Sequence, residues 1–231
     1  MSEPVRTQSE LLSIMKAASI GDLCFYHMLG FIKPGMTELE TAAETDRTLF
    51  SLGAEKLAFP TICVSGERGS LPHGEPTEKV IEEGDFVTLD FGAVVDGFCA
   101  DMTRTVAIGR VSALQNRVYN IVLSAQRAAL DVCRAGVRCR DVDKAARDII
   151  KAEGFGDAYI HGTGHGVGAE VHEDPKLNME SDDTLRENMA VTIEPGIYIS
   201  GKFGVRIEDL AIVTKFGIIN TVKSSKELFI L

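Results

Sequence analysis

The sequence predicts an α+β fold of two similar halves, with helices packed outside a central curved antiparallel sheet. Three observations carry this expectation. The order helix, helix, strand pair occurs twice along the 231 residues. Gly35 and Gly136 are 101 positions apart, as are Gly53 and Gly154, so that Gly35 with Gly53 and Gly136 with Gly154 punctuate helices of the same length. Late in each half, a strand pair with an otherwise apolar pattern carries two acidic residues, Asp90 and Asp101 and then Glu194 and Glu208. The halves are expected over about 8–110 and 111–215, packed about a pseudo-two-fold axis. They form one domain, 1–231, because no Pro/Ser-rich linker or low-complexity stretch divides the chain.

The first helix is expected over 8–30 from the apolar positions Leu11, Leu12, Met15, Ala18 and Ile20, ending near Gly30. Pro34-Gly35 signals a turn. Thr37 opens a second helix through Leu39, Ala42, Ala43 and Leu49, which closes at Gly53. Residues 58–66, with Phe59, Ile62 and Val64, read as a strand. Strands follow at 86–95 and 98–107 around Asp96-Gly97, a favoured hairpin turn. The second half opens with a helix over about 112–134, broken by Gly136, and a helix over 140–152 ending at Gly154. Strands are expected at 189–199 and 204–214, joined by Ser200-Gly201-Lys202.

Composition narrows the function. A net charge of −10 argues against nucleic-acid binding, which needs a basic stripe facing the phosphates. No stretch approaches the roughly 18–20 apolar residues of a membrane span. Met1–Arg6 has no basic region followed by an apolar one, so no signal peptide is expected. Five scattered cysteines without a CxxC pair suit reduced thiols in the cytoplasm.

The acidic strand residues carry the chemistry. Asp90 lies among Val87, Leu89 and Phe91, where a carboxylate costs several kcal/mol unless it is paired or binds a cation. Asp101 follows eleven residues later, across the hairpin. Taken alone, this pair reads better as two aspartates that cap turns or meet arginines. Glu194 in Val191–Tyr198 and Glu208 in Gly204–Leu210 interrupt apolar strands in the same way, and Arg206 shares a strand face with Glu208. Four carboxylates in core-like strands cannot neutralise one another, so they demand raised pKa values or cations. Two divalent ions would satisfy all four. The glycine-rich segment 161–172 contributes His161, His165 and His172, and His73 lies in a turn before the first acidic strand. Carboxylates with an imidazole suit Mn(II), Co(II), Fe(II) or Zn(II). Such ions polarise a carbonyl and generate a nucleophile near neutral pH, which points to metal-assisted hydrolysis of an amide.

In order and context these residues resemble the metal-binding set of the pita-bread metallopeptidases, whose fold is shared by creatinase, methionine aminopeptidase, aminopeptidase P and prolidase. The phrases LDFGAVVDGFCADMTRT, HGTGHGVGAEVHEDP and IEPGIYISGKFGVRIEDLAIVT are similar to those of the Xaa-Pro branch, and the resemblance runs from about Arg6 to Leu231. It implies a dinuclear metallo-exopeptidase that cleaves between an N-terminal residue and proline, with manganese as the first expectation for the metal. Asp90 would chelate one ion through both oxygens, Asp101 and Glu208 would bridge the two, and His165 and Glu194 would complete the other. Glu194 would also carry the proton. His73 would contact substrate near the scissile bond, and His172 would stabilise the developing oxyanion. His161 and Arg206, which favour the Xaa-Pro branch, would line the pocket on the proline side. Members of this branch usually carry an additional N-terminal domain that helps form dimers. Here the first helix begins almost at Met1, so a catalytic domain without it is expected, and a homodimer is left open. Two other readings remain, a methionine-type aminopeptidase and a non-catalytic binding protein on the same fold.

Overall fold

The computed structural model describes residues 4–231. Residues 1–3 of the expected 1–231 unit, half of the stretch read for a signal peptide, lie outside the described residues. The helices form close to where the sequence places them. They are α1 (Gln8–Phe31), α2 (Glu38–Ser51), α3 (Ala113–Val132) and α4 (Cys139–Ala152). Thr7, Thr37 and Ser112 cap the first three, each side chain accepting from the backbone N–H three residues on. The residue there, Glu10, Glu40 or Gln115, reaches back to the cap. Gly53 and Gly154 follow α2 and α4 with φ of +104° and +87°, a left-handed turn that a β-carbon would strain. Among the described residues, no helix is long and apolar enough to cross a membrane.

The strands are more fragmented than expected. In chain order they are β1 (Lys56–Leu57), β2 (Ile62–Ser65), β3 (Phe86–Phe91), β4 (Ala93–Val95), β5 (Phe98–Cys99) and β6 (Met102–Ala107). There follow β7 (Gly164–Gly166), β8 (Glu173–Leu177), β9 (Ala190–Ile193), β10 (Gly196–Ile199), β11 (Phe203–Arg206), β12 (Asp209–Val213) and β13 (Ile218–Asn220). Each of the four long strands expected around the acidic residues is split in two. The breaks fall at Gly92, Ala100-Asp101, Glu194-Pro195 and Ile207-Glu208. The cause is a change of partner. β3 pairs with β2 and β6, whereas β4 pairs with β1 and β5. β9 pairs with β7 and β12, whereas β10 pairs with β11. Each chain segment therefore bends from one antiparallel ladder into the next. Gly92 permits one such bend, since a β-carbon there would lie 2.0 Å from the Ala100 carbonyl oxygen. The expected strand over 58–66 is likewise shortened to β2, because Pro60 has no N–H for a ladder. The expected Asp96-Gly97 turn forms with positive φ at both residues.

Two apolar clusters fill the interior. One gathers Ile14, Phe25, Met28, Leu49, Leu89 and Phe91 beneath α1 and α2. The other gathers Val118, Val122, Val142, Ile150, Val191 and Val205 beneath α3 and α4. The strands above the two clusters are stitched together by hydrogen bonds. Thr105 Oγ1 donates to the Arg206 carbonyl at 3.0 Å, and the Glu208 N–H donates to the Thr103 carbonyl at 3.1 Å. β6 thus lies against the β11–β12 segment, and the bends that carry the acidic residues converge.

Candidate metal centre

The convergence forms a cavity of about 420 Å³. All nine residues singled out from the sequence line it: His73, Asp90, Asp101, His161, His165, His172, Glu194, Arg206 and Glu208. Asp90 sits inside β3, where its backbone pairs with Thr103 of β6. Asp101, Glu194 and Glu208 sit at the strand breaks, where the bent backbone turns their side chains inward.

One ligand atom from each of Asp101, His165 and Glu208 lies within 4.8 Å of the others, and all three residues are buried. Glu194 joins them through His165, whose Nε2 is 3.1 Å from Glu194 Oε1 and 3.7 Å from Asp101 Oδ2. His165 Nδ1 donates to the Gly166 carbonyl at 3.1 Å, which aims Nε2 at the carboxylates. This is the arrangement typical of an imidazole that ligates a metal. Three carboxylate oxygens, Asp90 Oδ1, Asp101 Oδ1 and Glu208 Oε1, are buried without a hydrogen-bond partner. A buried acceptor left unmade costs about 1–3 kcal/mol, more when charged. Hard oxygen donors with one imidazole are the donor set that a first-row divalent cation takes, so the residues present fit such ions.

The electrostatics agree. Burial, reinforced by the charges of Glu208, Asp90 and Glu194, pushes the Asp101 carboxyl well above its usual range. Burial together with Glu194 and Asp90 does the same to Glu208. Asp90 is raised by burial against the opposing pull of Arg206. Burial would raise Glu194 too, but its hydrogen bond to His165 and the charges of His165, His161 and Arg206 outweigh it and hold the group low. Burial works against a charged His165, yet Glu194 raises it above the ordinary imidazole value. The crowding of buried carboxylates thus disfavours their bare charged forms and favours a bound cation or proton.

Arg206 is fully engaged. It donates to Asp90 Oδ2 at 2.6 Å, Thr103 Oγ1 at 3.1 Å, the Pro72 carbonyl at 3.1 Å and the Tyr198 hydroxyl at 2.9 Å. Asp90 thus has one oxygen on Arg206 and one without a partner. Tyr198 in turn donates to His161 Nε2 at 2.8 Å, because His161 Nδ1 donates to the Gly162 carbonyl at 2.7 Å. Burial lowers His161 below the usual imidazole range, as this neutral tautomer requires. His172 lies against His165 with ring centroids 4.3 Å apart, and burial followed by the His165 charge lowers it as well. His73 stands at the exposed rim.

Sequence reasoning missed several residues. Tyr198 links His161 to Arg206. Thr192 accepts from the His165 N–H and donates to Glu194 Oε1, both at 3.0 Å. Thr103 donates to Glu208 Oε2 at 2.6 Å. Both threonines lie two residues from a site carboxylate, Thr192 from Glu194 and Thr103 from Asp101, so the strand period of two could have flagged them. Strands β7 and β8 were also missed, because the glycines and Pro175 that populate them are poor strand formers.

Comparison with known proteins gives this geometry a lineage. The chain is 48% identical to an Xaa-Pro dipeptidase from Bacillus anthracis of known structure, with a TM-score of 0.97, covering 98% of this chain and 64% of that one. An X-Pro aminopeptidase structure from Thermotoga maritima MSB8 matches at 41% identity and a TM-score of 0.96, over 98% and 64% of the two chains. The Xaa-Pro dipeptidase of Pyrococcus furiosus is 42% identical over 224 residues, 97% of this chain and 64% of the relative. The chain therefore spans somewhat less than two thirds of the length of these relatives. The expected α+β pita-bread fold is the fold of these structures. The model of metallopeptidase family M24 matches residues 13–215. With most of its length matched and its acidic bends gathered in one cavity, the chain belongs to metallopeptidase family M24.

Proposed function

We propose that this chain is a catalytic unit, two pseudo-symmetric halves over about 8–110 and 111–215, that hydrolyses the bond between an N-terminal residue and proline with two divalent ions. The observation that carries this reading is the gathering of nine residues on one cavity in which three buried carboxylate oxygens lack partners. Asp90, Asp101, His165, Glu194 and Glu208 would hold the ions, manganese first, with cobalt, zinc or iron accepted by the same donors. The ions, when bound, polarise the scissile carbonyl and make attack by water feasible near neutral pH.

The chain's own residues supply the rest. Glu194, fixed by Thr192 and His165, takes a proton from the attacking water and returns it to the departing proline nitrogen, which cannot leave unprotonated. His172, neutral because burial lowers its pKa, donates its N–H to the carbonyl oxygen as negative charge develops. His73 contacts substrate beside the scissile bond. His161 and Arg206, held by Tyr198, frame the proline side. Phe59, Pro60, Ile62 and Pro72 offer an apolar wall suited to a pyrrolidine ring. The five cysteines are all free and buried, which supports a reducing compartment, and we place the protein in the cytoplasm.

The test is release of the N-terminal residue from Xaa-Pro dipeptides and Xaa-Pro-Xaa tripeptides. Metal-free protein is compared with protein loaded with Mn(II), Co(II) or Zn(II), and Asp101→Ala is the control. Metal-dependent cleavage lost in the variant supports the reading, and the preferred length separates dipeptidase from aminopeptidase. Silence on every Xaa-Pro peptide with metal bound sinks it, and methionine-type peptides are then the next substrates.

A further inference from the structure

Two carboxylates outside the cavity are fully buried and heavily hydrogen-bonded, and each grips a loop that carries a cavity histidine. Glu38, the first residue of α2, is 0% exposed. Its Oε1 accepts from the Ser65 N–H at 2.7 Å and the Ser65 hydroxyl at 3.0 Å. Its Oε2 accepts from Arg68 Nε at 3.0 Å, the Thr77 N–H at 3.1 Å and the Thr77 hydroxyl at 2.9 Å. Ser65 and Thr77 are the two ends of the segment containing Pro72 and His73, so one side chain closes that loop at its base. Arg68 tightens it further by donating to the Glu75 carbonyl at 2.6 Å. The tip is held separately, by Arg206 on the Pro72 carbonyl and by Gly69 lying against Gly204 of β11.

Asp143 of α4 is also 0% exposed. Its Oδ1 accepts from the Thr163 N–H and hydroxyl, both at 2.9 Å, and it pairs with Arg147 at 2.7 Å. Arg147 extends the grip to the Tyr159 and His161 carbonyls, at 3.1 and 2.8 Å. The Thr163 carbonyl accepts the Glu194 N–H at 2.7 Å. Each carboxylate therefore sits on the second helix of its helix pair, outside the cavity, and fixes backbone that ends in a cavity side chain.

We infer that Glu38 and Asp143 are positioning residues, Glu38 holding His73 and Asp143 holding His161 in register with the cavity. Neither touches the cavity itself. A carboxylate is the group the task needs, because both oxygens of Glu38 face obligate donors, the Ser65 N–H on one side and the Thr77 N–H and Arg68 guanidinium on the other, and an amide would turn its own N–H bonds toward one of these sets. The same holds for Asp143 against Arg147 and Thr163. Displacing a histidine by about 1 Å costs on the order of 100-fold in rate when it contacts substrate. As far as rates go, this inference rests on the peptidase reading; the positioning itself does not.

The experiment combines hydrogen exchange with a double-mutant cycle on the full chain. Glu38→Gln should remain folded by circular dichroism. It should speed amide exchange across residues 66–76 and shift the His73 ring resonance in metal-free protein, leaving 159–165 protected. Asp143→Asn should do the converse, loosening 159–165 and shifting the His161 ring. On Xaa-Pro dipeptides, Glu38→Gln should lower kcat/KM about 10- to 100-fold in the wild-type background and barely at all in His73→Ala. In His161→Ala its cost should be undiminished. Glu38→Asp keeps the charge and should recover part of the loss; it also serves as the probe if the glutamine variant does not fold. Unchanged exchange over 66–76, or equal losses in the His73→Ala and His161→Ala backgrounds, overturns the inference. If the wild type cleaves no Xaa-Pro peptide, the peptidase reading falls, and exchange and the ring resonances alone decide the positioning role.

Discussion

Arg206, the last residue of β11, donates to Asp90, inside β3, at 2.6 Å, and so ties one set of acidic strands to the other through a buried ion pair. The contact cannot be traded away cheaply. Arg206 also holds Thr103, Tyr198 and the Pro72 carbonyl, so its removal strands acceptors on three other segments.

Arg206→Met is expected to cost about 3–5 kcal/mol of stability, the range for removing one partner of a buried pair. Arg206→Lys should cost less, since it keeps the charge but not the fork that reaches several acceptors. Urea denaturation of metal-free protein checks both. A loss for Arg206→Met below about 1 kcal/mol would mean that the contact is not structural.

The metal-free protein should lose stability as pH rises above the ordinary carboxylate range. Asp101 and Glu208 have folded-state pKa values well above their usual ones, so the folded chain keeps protons that the unfolded chain has released. Stability then falls with rising pH across that window. Glu194, held low, acts in the opposite sense and only at acid pH. Adding Mn(II) should therefore raise the melting temperature more at about pH 8 than at about pH 5, where protons compete for the same oxygens. Thermal melts with EDTA or Mn(II) measure it, and an equal increment at both pH values would contradict the electrostatic account.

Asp101→Asn should separate stability from function. It removes one of four mutually repelling carboxylates, one that burial already pushes well above its usual range, so metal-free protein near pH 8 should melt at a higher temperature. The stabilisation by Mn(II) and the Xaa-Pro hydrolysis should both disappear. Melting curves with and without metal, run beside the peptide assay, give the result.

Tyr198→Phe removes the hydroxyl between His161 and Arg206. It should cost about 1–3 kcal/mol, because His161 Nε2 and an Arg206 N–H lose their partner in a buried site. His161 is then held by the Gly162 carbonyl alone, and kcat/KM on Xaa-Pro dipeptides should fall about 10-fold with metal stoichiometry unchanged. Calorimetry of metal binding together with kinetics distinguishes this from damage to the metal centre.

Gly164→Ala should be among the most harmful of the small substitutions. A β-carbon at this position would lie 1.9 Å from the Thr192 carbonyl oxygen, which is rigid backbone. Moving β7 away from β9 would carry His165 off its carboxylates, so we expect a stability loss of about 1–3 kcal/mol or more and loss of metal affinity. Gly217→Ala, with nothing within 4 Å, is the neutral control.

The sequence by itself determined the four helices, because capping residues, apolar periodicity and closing glycines are local signals read within a few residues. It also picked out side chains that gather on one cavity, since an acidic residue inside an apolar strand such as that of Asp90 or Glu194 is conspicuous wherever the strand goes. Tertiary structure alone decided where the long strands break. Whether Asp101 continues a strand or turns into a cavity depends on which ladder β5 and β6 each join: β5 shares one with β1 and β4, β6 another with β2 and β3, and that division is set by packing. It alone decided that Arg206 takes Asp90 and Tyr198 rather than standing free at the cavity wall. It also revealed Glu38 and Asp143 as the ties behind His73 and His161, which look in the sequence like ordinary charges on the second helix of each helix pair. Burial and hydrogen-bond satisfaction are properties of the packed whole, and no local window of residues contains them.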